Sequence, residues 1–180
     1  DHMFEILNLK INPPKPEDKI IITYAGNIGE AQGLEVLVKA IKESINDKIV
    51  FNFIGSGRYK LKLKKLVSEN NLKSSIIFFD KVNTEDLIPF FENTHYLYLS
   101  LKDNPIFSET VPAKLQTYLT LGKPIISSIS GETKDLLTQN NCGFHLDSGD
   151  ELGLTKTFNH LGNVTNSQYA EFSKNSKRLY

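Results

Sequence analysis

Val111-Pro112-Ala113-Lys114-Leu115-Gln116-Thr117-Tyr118-Leu119-Thr120-Leu121-Gly122-Lys123-Pro124-Ile125-Ile126 is the stretch that decides how this chain folds. Pro112 suits the first turn of a helix, where its missing N–H leaves no bond unmade. The pattern predicts a helix running to about Leu121, with Gly122 as its C-cap. Pro124-Ile125-Ile126 then reads as a strand.

The same alternation continues in both directions. Upstream, Ile20–Ala25, Ile49–Ile54, Ile76–Phe79 and Tyr96–Leu99 are short apolar runs that read as buried strands. Between them, Leu34, Leu37, Val38 and Ile41 fall at helical spacing, and Leu61, Leu63, Leu66 and Val67 lie in a lysine-rich helix. Thr84 is placed to N-cap a helix carrying Leu87, Ile88, Phe90 and Phe91. Downstream, Glu132–Gln139 reads as a helix, Gly143–Leu146 as a strand, and 150–180 as two polar helices separated by Gly162-Asn163. Strand alternating with helix implies βαβ units. The expected fold class is α/β, a Rossmann-like parallel sheet of about six strands with helices on both faces.

The composition narrows the function. In 180 residues, Lys+Arg and Asp+Glu are both 21, so the net charge is zero. That argues against a nucleic-acid partner, which usually calls for a basic excess. One cysteine, Cys142, excludes an internal disulfide and fits a reducing, cytoplasmic setting. Cys142 precedes a strand and reads as a small buried residue. The four histidines show no metal spacing, and His95, opening a strand, reads as structural. No apolar run reaches the roughly 18 residues of a membrane span. Pro13, Pro14 and Pro16 disfavour helix and central strand alike, and His2-Met3 resembles a cloning scar. Residues 1–18 are therefore expected to be tag remnant and interdomain connector, and 19–180 the folded domain.

Ligands of open α/β sheets bind outside the carboxyl ends of the strands. That selects the loops Gly26–Gly29, Gly55–Arg58, Asp80–Asn83, Lys102–Lys114 and Ser127–Glu132. Gly26-Asn27-Ile28-Gly29 lets backbone N–H groups approach a phosphate, although it does not match G-x-G-x-x-G and no P-loop motif is present. Arg58 stands at the edge of the second turn. The loop before the quoted helix is long for an α/β unit. It brings Glu109 just before the helix and Lys114 into its first turn. A cation there opposes the helix dipole, a conflict that a bound phosphate would relieve. Lys60, Lys62, Lys64 and Lys65 read as a solvated helix face.

Several of these segments resemble one family. Tyr24-Ala25-Gly26-Asn27-Ile28-Gly29-Glu30-Ala31-Gln32-Gly33-Leu34 is similar to the first βα turn of the C-terminal domain of GT-B glycosyltransferases, the large retaining group called glycosyl transferases group 1. Phe53-Ile54-Gly55-Ser56-Gly57, Phe79-Asp80-Lys81-Val82 with Leu87, and Asn141-Cys142-Gly143-Phe144 resemble further family segments in the right order. Val111–Ile126 resembles the signature helix of capsule and O-antigen transferases, fucosamine-transferase-like proteins among them.

The resemblance implies one half of GT-B, a donor-binding domain whose acceptor-holding N-terminal domain is absent. It implies transfer of a sugar from a nucleoside diphosphate sugar, UDP-linked for preference, to a polysaccharide or lipid-linked glycan, without a cofactor or metal, at the inner face of the cell membrane. Gly26, Asn27 and Gly29 would face the diphosphate or cleft. Lys81 and Val82 would flank the nucleobase. Glu109 matches the first carboxylate of E-x7-E beside the donor sugar, and Thr110, Val111 and Lys114 would meet the diphosphate. Two positions depart from the pattern. Thr117 occupies the place of the second carboxylate, which holds the ribose hydroxyls. Asn27 and Gln32 stand near the places of two first-turn cations, leaving Lys114 and Arg58 to replace them. A non-catalytic Rossmann-like binding module and a GT-B nucleotide-sugar epimerase remain the alternatives.

Overall fold

The computed structural model describes residues 9–104 and 111–180. Six strands form one parallel sheet: β1 Ile20–Ala25, β2 Ile49–Ile54, β3 Ile76–Phe79, β4 Tyr96–Ser100, β5 Ile125–Ser128 and β6 Gly143–Leu146, in the order β3-β2-β1-β4-β5-β6. The helices are α1 Leu34–Glu43, α2 Lys60–Glu69, α3 Ile88–Glu92, α4 Ala113–Leu121, α5 Glu132–Gln139, α6 Glu151–His160 and α7 Asn166–Leu179. The sequence expectation of an α/β sheet of six strands is met, element by element.

Successive side chains of each strand point to opposite faces of the sheet, and here both faces are covered, so the strands are apolar on both. Ile20, Ile22 and Tyr24 point to one core, shared with Leu34, Leu37, Val38 and Ile41 of α1. Leu97, Leu99 and Ile125 point to the other, shared with Leu115, Tyr118 and Leu119 of α4. Burying each such side chain fully contributes on the order of 2 kcal/mol. Leu9 joins the second core and Ile11 packs on the first, so the described part of the proline-rich segment lies against the domain.

Two boundaries shift for physical reasons. Pro112 is the N-cap and α4 begins at Ala113. β5 begins at Ile125, because Pro124 has no N–H for the ladder; its carbonyl still accepts from Leu97 N at 3.0 Å. Thr84 makes no side-chain cap, and the chain there enters α3 through a 3-10 turn, Glu85–Leu87.

The registers locate a crevice. β1 pairs with β2 along its full length, from Ile20↔Ile49 to Ala25↔Ile54. Its pairing with β4 covers Ile22↔Tyr96 and Thr23↔Leu97. Beyond Thr23 the two strands part, at the point where the strand order reverses. Such a switch point is where doubly wound sheets bind ligands.

Candidate functional site

The parted strand ends leave Ala25 N–H without a β4 carbonyl. The Tyr118 hydroxyl accepts it at 3.1 Å, so α4 is tied to the end of β1. This bond fixes the helix that carries Lys114 and Thr117 against the crevice.

The opposite wall is two interlocked turns. Gly26 N donates to Ile54 O at 2.9 Å, and Ile28 N to Ser56 O at 2.8 Å. Gly55 has φ +151° and lies so close to Gly26 that a Cβ would overlap the Gly26 carbonyl oxygen. Here glycine is demanded by the close approach of two backbones. Gly26 has φ +143°, and a Cβ on it would stand 2.6 Å from the Lys114 ammonium. This second glycine therefore makes room for a cation.

Lys114 Nζ lies 3.6 Å from the centroid of the Tyr24 ring, a cation–π contact. Burial pushes its pKa from 10.5 down to about 7. Among the described residues no carboxylate pairs with it. The positive end of α4 adds to the cost of charging it. Lys114 is thus a half-buried ammonium held by an aromatic face at a helix N-terminus, where an anion would be well received. The Tyr24 hydroxyl donates to Asn27 O at 2.5 Å, so the same side chain supports the lysine and holds the first turn.

A cavity of about 530 Å³ opens between these walls. Its polar lining comes from Gly26, Asn27, Ser56, Lys81, Thr84, Lys114 and Thr117, and its apolar lining from Ile54, Val82, Leu87 and Phe91. Two of the described lining residues are lysines and none is Asp or Glu. The loop bearing Lys81 and Val82 starts from a fixed point, because Lys60 Nζ donates to Gly55 O at 2.8 Å, to Phe79 O at 3.0 Å and to Asp80 at 2.9 Å. Lys60 also holds the Asp80 carboxyl below its usual pKa. Lys60 is therefore no solvated lysine, contrary to the sequence expectation. It clamps the ends of β2 and β3, while Lys62, Lys64 and Lys65 are exposed.

Of the residues singled out in the sequence, Gly26, Asn27, Gly55, Lys81, Val82, Lys114 and Thr117 meet around this one cavity. Gly29, Arg58 and Val111 are not among its lining residues. Gly29 N donates to Gln32 Oε1 at 3.0 Å, closing the 3-10 turn Glu30–Gln32. Gln32 is thereby occupied in local structure. Arg58 is exposed, and Val111 is 45% exposed just ahead of α4. Glu109 and Thr110 lie outside the described residues. Ser56 lies in the Gly55–Arg58 loop that the sequence singles out, whereas Tyr24, Tyr118, Thr84, Leu87 and Phe91 were not expected at the site. Leu87 and Phe91 read as helix core and Tyr24 as strand, with Leu87 and Tyr24 also inside the family-like segments; the one local signal was a tyrosine two residues before the glycine of a turn.

Cys142 is buried, as expected of a small core residue. His95 Nδ1 accepts from Ile21 N at 2.9 Å, and burial pushes its pKa down to about 4. Among the described residues, no group of His, Cys, Asp and Glu is arranged to hold a metal, and no helix is long and apolar enough to cross a membrane.

Residues 6–179 match the family model described as glycosyl transferases group 1. WcaI of Escherichia coli (strain K12), named as a glycosyl transferase of colanic acid biosynthesis, is 29% identical over 107 residues, covering 59% of this chain and 26% of its own length. The chain thus spans about a quarter of that relative. Anabaena HepE, solved with UDP, superposes with a TM-score of 0.76 at 13% identity, covering 91% of this chain and 44% of that one. The C-terminal domain of the group 1 protein LpcC from Francisella tularensis superposes with a TM-score of 0.69 at 14% identity, covering 99% of this chain and 90% of that domain. At these identities both structures speak for the fold.

Proposed function

The chain belongs to the glycosyl transferases group 1 family, and from that premise we propose that it is the donor-binding domain of an enzyme that moves a sugar from a nucleoside diphosphate sugar to a glycan acceptor. Residues 19–180 form the donor domain in this reading, residues 1–18 the connector, and a preceding domain holds the acceptor. The observation that carries the proposal is the cavity at the β1–β4 switch point, with Lys114 over Tyr24 at the α4 N-terminus and no carboxylate among its described lining residues. A donor with two negative charges on its diphosphate, and a third developing as the leaving group departs, fits there. The free N–H groups of α4 and the Lys114 ammonium would receive the diphosphate, while Val82, Leu87 and Phe91 offer apolar surface to the nucleobase.

The reaction breaks the bond between the anomeric carbon and the diphosphate oxygen, so charge grows on that oxygen in the transition state. Donors already pointing at it stabilise the transition state more than the ground state. Glu109 is proposed, on the family resemblance, to stand beside the donor sugar, and Thr110 and Val111 beside the diphosphate. Peripheral contact of the whole enzyme with the inner membrane face belongs to the same proposal. That UDP was bound in the HepE structure supports the choice of a diphosphate probe.

Calorimetric titration with UDP and with uridine tests the reading. UDP should bind with a Kd below about 1 mM and uridine at least tenfold more weakly. Equal binding of the two, or no binding of UDP at about 5 mM, where an association of about −4 kcal/mol would fill most sites, would refute it.

A further inference from the structure

We propose that this cavity does not read the 2′-hydroxyl of the nucleotide, so that deoxyribonucleoside diphosphate sugars are donors as acceptable as ribonucleoside ones. The inference rests on the donor-domain reading and names the substrate class of that site. Its basis is the chemistry of the lining along α4. The diphosphate end is marked by Lys114, Gly26 and the helix N-terminus, and the base end by Val82, Leu87 and Phe91. Thr117 lines the same cavity three residues on from Lys114, on the same helix face and about 4.5 Å further along the axis. A pentose joined to a diphosphate held at Lys114 would meet it there.

A vicinal diol is read strongly when a carboxylate accepts from both hydroxyls, as in dinucleotide sites where an acidic residue holds the ribose 2′-hydroxyl. Hydrogen bonds to an ionised acceptor are roughly twice as strong as neutral ones. No described residue of the cavity supplies an ionised acceptor; Thr117, Ser56 and Thr84 offer neutral hydroxyls and Asn27 a neutral amide. Thr117 is exposed, so its hydroxyl can also trade a sugar hydroxyl for water at little cost. Losing the 2′-hydroxyl then costs one neutral, solvent-compensated bond. A buried ionic site would lose far more, because its carboxylate would be left without a partner.

The test is a matched pair, UDP and 2′-deoxy-UDP, titrated into the chain and into its Thr117→Glu variant. The two nucleotides should bind the parent within about threefold of each other. In Thr117→Glu the carboxylate should create a preference for UDP of about tenfold. If the parent prefers UDP by tenfold or more, the proposal is overturned while the donor-domain reading stands. An unchanged ratio in Thr117→Glu also overturns it, because position 117 would then not face the sugar. If neither nucleotide binds, this proposal and the donor-domain reading fall together.

Discussion

A lysine stands near each end of helix α4, and the two are opposites: Lys123 is buried and Lys114 half-buried. Lys123, just past the C-terminus, is 1% exposed and its ammonium donates to the carbonyl of Thr94 at 2.7 Å, with Glu92 O and Lys10 O at 3.5 Å. Lys114, in the first turn, is half-buried and rests on an aromatic face without a carbonyl or carboxylate partner among the described residues. Burial pushes both pKa values down, to about 8 for Lys123 and about 7 for Lys114. Lys123 is satisfied by the protein and ties the end of α3, the turn before β4 and Lys10 together. Lys114 is satisfied by the protein only in part, and the remainder is available to a ligand. The same residue type is a structural bolt where carbonyls converge and, in the proposed reading, a binding group where N–H groups do.

Replacing each lysine separates the two roles. Lys123→Met should cost the fold about 2–3 kcal/mol, since charged donors to buried carbonyls contribute that much. A thermal melt should show a fall of roughly 5–10 °C. Lys114→Met should leave the melting temperature level or slightly higher, because it removes a desolvated charge. It should weaken UDP by about 2 kcal/mol, roughly thirtyfold, in calorimetry. If both variants melted alike, the contrast would collapse.

The pH dependence sharpens the same contrast. Free Lys114 loses its proton near pH 7, whereas a bound diphosphate favours the charged form and raises that pKa. UDP affinity should therefore decline above pH 7, by up to about tenfold per unit where binding takes up one proton. Below about pH 6 the terminal phosphate gains its own proton and affinity falls on that side too. Lys114→Met should abolish the alkaline limb and keep the acidic one. For stability the sign is different. Both lysines have folded pKa values below the unfolded value of 10.5, so each adds stability as pH rises from its folded pKa towards 10.5.

Arg58 gives the smallest effect. It is exposed and does not line the cavity, so Arg58→Ala should change UDP affinity by less than about twofold, as expected of a screened surface charge. A tenfold loss would bring Arg58 into the site and dilute the role of Lys114.

The sheet was legible in the sequence because β-branched runs such as Ile20-Ile21-Ile22 and Ile125-Ile126 carry their burial pattern locally. Lys114 was legible for a related reason: a cation in a first turn contradicts local electrostatics. Tyr24, Tyr118 and Lys60 were not. Their roles depend on which strand ends part and which turns interlock, and these are properties of the register between distant segments. A strand tyrosine and a helix tyrosine look like core until Ala25 is seen to lack a β4 partner. Lys60 looks like one of four solvated lysines until the carbonyls of Gly55 and Phe79 are found within its reach.

In the proposed reading the β1–β4 crevice, with Lys114 as its cation, is where a nucleoside diphosphate binds. Following backbone amide signals during a UDP titration tests it most directly. The signals of Gly26, Lys81, Lys114 and Thr117 should move together along one binding curve while that of Lys123 stays in place. Movement centred elsewhere, or none among those four residues at saturating UDP, would contradict it.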